Sequence, residues 1–214
     1  MTHLTIAYAN HRPETLPLSQ SIMEEHELII LEEPPHQSFY EMLRGTIETE
    51  DYLLDQDIEY PAFSRQQCLL MQRLFRDGRK LLQVEPFIER LLEVQNFFAD
   101  GNGPGDLDQS TVNYQVYLRE KEATQTLINY YQTVRGNNFA DIIESVDDFA
   151  RADAKRFELR DRLRAEAIVN RLNDSKSICI EAGPIHLLLC HLLLKRIPSG
   201  WTLKPIFVEL LGLR

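Results

Sequence analysis

The sequence predicts an α/β fold: a central, mostly parallel sheet flanked by helices, with a long helical insertion before the last two strands. Three observations carry this. Five short apolar stretches alternate with longer helical segments, the pattern of a parallel sheet with helices on both faces. The run Glu27 to Glu32 is continuously apolar, as a strand covered on both sides should be. Between Ser110 and Asn173 there is no strand signal at all.

Each element follows in order. Residues 3–9 read as strand one. Pro13 suits the first turn of a helix, where its missing N–H is no loss, and that helix runs to about Glu25. Strand two spans 27–32 and is stopped by Pro34-Pro35. Residues 36–60 form short acidic helices, the first two parted by Gly45. Ser64-Arg65-Gln66-Gln67 has the spacing of a capping box and opens a helix that Gly78 closes. Strand three spans 80–85, and Pro86 starts a helix that ends near Gly101. Gly101-Asn102-Gly103-Pro104-Gly105 is a loop by composition. Residues 106–174 form the helical insertion or cap, divided by Gly136-Asn137-Asn138. Strand four covers 177–181, a helix 184–196, and strand five 204–210, parallel or antiparallel at an edge.

The chain has 214 residues, the size of one domain carrying an insertion. Its net charge of −10 argues against nucleic-acid binding, which needs clustered Lys and Arg. Residues 22–60 hold twelve Asp/Glu against Arg44 alone, whereas 151–171 hold seven Lys/Arg against four Asp/Glu. This reads as two solvated faces of opposite sign, or as acidic groups gathered at a cation site with a basic helix beside them. Cys68, Cys179 and Cys190 are widely spaced in apolar runs, which fits reduced thiols of a cytoplasmic protein rather than a disulfide framework. The start Met1-Thr2-His3-Leu4 has no signal-peptide pattern, and Ile185 to Leu194 is too short to span a bilayer.

In an open α/β sheet, ligands bind outside the carboxyl ends of the strands. His11 follows strand one, as a general base, a metal ligand or a loop histidine bonded to backbone. Glu32-Glu33 leave strand two toward opposite sides, and a buried carboxylate needs a cation, an Arg or a His as partner. Glu32 is the choice for the crevice. Glu85 ends strand three, with Gln83 on the same face. Glu181 ends strand four, where Gly183 allows a tight turn and Pro184 places His186 in the first helical turn. There the helix dipole favours the neutral imidazole that a base or ligand needs. There is no nucleophile elbow, P-loop, GxGxxG or HExxH.

The order of these stretches resembles the Tiki/TraB-like superfamily, which includes erythromycin-esterase-like and ChaN-like haem-binding proteins. The matching residues are Tyr8-Ala9-Asn10-His11, Ile30-Leu31-Glu32-Glu33, Arg160 to Glu166, and Gly183-Pro184-Ile185-His186. Tyr8 stands where that pattern has glycine. The resemblance implies that His11, a strand-two Glu and His186 face one another and that Arg160 reaches the site from its helix.

It implies a hydrolase of a small-molecule or peptide substrate, in which His11 or Glu32 activates water, alone or through a divalent ion. His11, Glu32, Glu33 and His186 would be the metal ligands for manganese, zinc or cobalt. Arg160 would stabilise developing negative charge. The alternative is a non-catalytic haem or small-ligand binder, with a histidine as axial ligand. A third reading makes the helical region 111–173 a partner surface, including a homodimer interface. No nucleic-acid or membrane partner is expected.

Overall fold

The computed structural model describes residues 2–54, 61–136 and 138–211. Two compact units divide the chain: residues 1–85 with 165–214, and residues 86–164. The last six residues of the acidic stretch, 55–60, and Asn137 lie outside the described residues.

The first unit holds the sheet. Its strands are β1 (Thr2–Tyr8), β2 (Leu28–Leu31), β3 (Lys80–Gln83), β4 (Ser177–Ala182) and β5 (Trp201–Phe207). All pairings are parallel and the order is β3-β2-β4-β1-β5. Strand five is therefore a parallel edge strand. It lies three residues earlier than the sequence reading placed it, because its register pairs Thr2 with Trp201 and Tyr8 with Phe207. Pro205 is tolerated there because an edge strand need not donate on both sides.

The two-residue period of the strands sorts the core. Ala7, Ile29, Leu31, Leu81 and Cys179 face one side, packed with α1 (Leu16–Met23), α2 (Gln37–Leu43), α3 (Thr49–Leu54) and α4 (Pro61–Arg76). Leu4, Ile6, Tyr8, Ile30, Ile178 and Ile180 face the other, packed with Leu189 and Leu193 of α8 (Leu187–Leu194) and with Ala165 and Ile168. A final short helix, α9, covers Val208–Leu211. Helix α4 begins at Pro61, one turn before Ser64, so the capping-box spacing marks an interior turn. Helix α8 begins at Leu187 with His186 as its N-cap residue, so His186 stands just before the helix rather than within its first turn.

The second unit is helical throughout its regular structure: α5 (Pro86–Ala99), α6 (Val112–Val134) and most of α7 (Phe139–Val169). Phe87, Val116 and Leu159 form its small core. Thr111 caps α6 by accepting the Tyr114 N–H through its hydroxyl. Among the described residues no helix is long and apolar enough to cross a membrane.

Candidate functional site

Strand order fixes where a site can form. The connection leaving β2 leads outward to β3, whereas the one leaving β4 crosses β1 to reach β5. These connections diverge, which opens a crevice between the carboxyl ends of β2 and β4. Glu32 directly follows β2, and Gly183 to His186 directly follow β4.

The crevice brings Glu32 and His186 together across 154 residues of sequence. His186 Nε2 lies 2.6 Å from Glu32 Oε1, with His186 fully buried and the Glu32 side chain 7% exposed. The second oxygen, Oε2, accepts the Gly183 N–H at 2.6 Å. The backbone of His186 is held as well, because the Tyr8 hydroxyl donates to the His186 carbonyl at 3.1 Å. Tyr8 in turn stacks on Phe207. The structure thus selects Glu32 over Glu33 as the partner of His186.

Glu33 leaves the strand on the opposite side. Its Oε2 accepts from Gln83 Nε2 at 2.8 Å. The Gln83 amide cannot turn around, because its oxygen accepts the His36 N–H at 2.9 Å. Desolvation pushes the Glu33 carboxyl above the usual carboxylate range, against the opposing hydrogen bonds of Gln83 and Tyr52. Burial also pushes the neighbouring Cys68 thiol up to about 12, so it is held as the neutral thiol. Glu181 is buried and accepts Gln67 Nε2 on both oxygens, at 2.9 and 3.0 Å. Glu85 is fully buried at the end of β3.

His11 stands after β1, half-buried, with its ring stacked on Phe63 of α4 at 5.1 Å. Arg160 lies on α7 in the helical unit, its guanidinium 5.8 Å from the Phe157 ring centre. Within the quoted stretch 160–166, the fully buried charged side chains are Asp161 and Arg164. Sequence reasoning passed over Gln67 and Tyr52, whose roles depend on packing across helices. Glu209, just after β5, accepts the Asn10 N–H at 2.6 Å.

Gly183 is not forced by its backbone, since it is absent from the glycines with positive φ. A Cβ there would meet Glu32 Oε2 at 3.6 Å and His186 Cδ2 at 3.8 Å. The glycine lies against the pair rather than providing an unusual turn.

Among the described residues, no group of three or more His, Cys, Asp or Glu side chains is arranged to hold a metal ion. His11, Glu32, Glu33 and His186 therefore do not come together as one ligand set among the described residues.

The fold and this site define an α/β protein with a buried Glu–His pair at the point where the sheet connections diverge. No protein-family model matches the chain, and no solved structure matches it. The chain is similar to an uncharacterized protein of Archaeoglobus fulgidus, 29% identical over 211 residues. That match covers 99% of this chain and 70% of the relative.

Proposed function

We propose that the chain is a hydrolase of the Tiki/TraB and erythromycin-esterase-like type, with Glu32 and His186 as its working pair. The observation that carries this is the 2.6 Å contact between Glu32 and His186 at the diverging strand ends. Glu32 orients the imidazole and stabilises it when it takes a proton. His186 then acts as general base toward water and returns the proton to the leaving group. The Gly183 N–H fixes Glu32 so that the ring is already oriented before substrate arrives. Substrate binding must open access to His186, which is fully buried in this state.

The test is turnover of purified protein on panels of activated esters and short peptides, beside His186→Gln. The expected result is hydrolysis that falls by a factor of about 10²–10⁴ in the variant, the usual contribution of general base catalysis. Hydrolysis that persists at wild-type rate in His186→Gln, or none on any panel member, overturns the reading.

A further inference from the structure

The end of the α6–α7 hairpin has two unlike sides. One carries a groove of about 600 Å³ lined by Asn129, Gln132, Thr133, Asp141, Glu144 and Asp148, among others. Successive helical residues turn by about 100°. Tyr131 and Val134 on α6 therefore lie about 150° round from the groove residues of their helix. Phe139, Ile143 and Val146 on α7 lie about 150–170° round from theirs, by the same rotation. All five are exposed, from 38% at Val134 to 76% at Phe139. Apolar residues that face a hairpin's own partner helix are a different set: Ala123 on α6 and Ala152 and Leu159 on α7 are the buried ones.

We propose that this apolar side is a two-fold interface with a second copy of the chain. The register is self-complementary. Val134 and Phe139 stand at equal distance from the turn, and Tyr131 and Ile143 match to within one residue. Ile128, 43% exposed on the flank of α6, stands level with Val146. A two-fold axis along the hairpin sets α7 of each copy across α6 of the other. Phe139 then meets Val134, Ile143 meets Tyr131, and Val146 meets Ile128, in three layers of a four-helix arrangement.

The area is of the right size. At about 200 Å² for an aromatic side chain and somewhat less for an aliphatic one, the exposed fractions leave roughly 600 Å² of apolar surface per copy. A standard interface buries about 800 Å² per partner, of which about 65% is apolar in homodimers, or about 520 Å². A monomer rarely leaves so large an apolar patch uncovered. The acidic groove stays on the outside of the pair, where its carboxylates remain hydrated.

The experiment is light scattering and sedimentation of the full chain across a range of concentrations. The same is done for Phe139→Glu/Ile143→Glu and for Gln132→Glu on the groove side. All three substituted positions are exposed, so circular dichroism and melting temperature check that the fold is retained. The expected result is a mass near twice the 24.9 kDa of one chain for wild type and Gln132→Glu. The double variant is expected to run as a monomer. A monomeric wild type at about 100 μM, an order-of-magnitude ceiling well above the dissociation constants of stable complexes, overturns the proposal. So does a dimer that survives Phe139→Glu/Ile143→Glu.

Discussion

Replacing Glu32 with alanine removes three constraints at once. His186 Nε2 loses its close carboxylate contact at 2.6 Å, the Gly183 N–H loses its acceptor at 2.6 Å, and a space opens between two buried strand ends. His186 is fully buried, so water cannot easily take over the lost bond. Breaking a buried pair by removing one partner costs about 3–5 kcal/mol. For a chain of this size each kcal/mol moves the melting temperature by about 2–4 °C, so the expected drop is about 6–20 °C. Glu32→Gln keeps the shape and one acceptor, and is expected to cost about 1–3 kcal/mol. The assay is urea denaturation of wild type, Glu32→Ala and Glu32→Gln at pH 7, read by circular dichroism. A loss under about 1 kcal/mol for Glu32→Ala would refute the reasoning, because it is below the cost of even one buried unsatisfied group.

Three further outcomes are expected. Tyr8→Phe removes the hydroxyl that donates to the His186 carbonyl, and should cost about 1 kcal/mol in urea denaturation while leaving the far-ultraviolet spectrum unchanged. Glu33 is pushed above its ordinary value of 4.5, mainly by desolvation, so its favourable contribution is complete below pH 4.5 and is lost as pH rises through the folded value. Glu33→Gln should therefore raise the melting temperature at pH 7–8 and change it little at pH 4; the reverse order would contradict the assignment. His26 is pushed the other way, below 6.5, first by burial. Its ring bonds the Ile22 carbonyl and the Thr5 hydroxyl, both at 2.8 Å. Its contribution is present above pH 6.5 and lost as pH falls through the folded value, so His26→Asn should flatten the stability profile between pH 7 and 5.

Much of this was legible in the residues. Apolar runs at 27–32 and 177–181 gave the central strands, because strands buried on both faces have little choice but to be apolar. The same reading placed Glu32 and His186 at strand ends, and parallel topology did the rest. Helix starts were harder. Ser64 carries the right spacing for a cap, yet it lies within α4, since spacing alone does not say where the backbone first turns. Strand five lay earlier because its register is set by β1, a partner two hundred residues away. The sequence reading took Glu32 over Glu33 for the crevice, but the ground for it lies in the fold: adjacent residues point to opposite faces, and only strand order says which face holds His186. Gln67, Tyr52 and Gln83 fix the other carboxylates through contacts between helices and strands that no local pattern encodes.

The most direct test of the Glu32–His186 pair is a double-mutant comparison of kcat/KM on the best substrate of the ester and peptide panels. Wild type, Glu32→Gln, His186→Gln and the double variant are compared. If the two residues act as one unit, the double variant is no slower than His186→Gln alone, as for groups whose losses are strongly non-additive. Losses that multiply, or a double variant that works at the wild-type rate, would contradict a shared role.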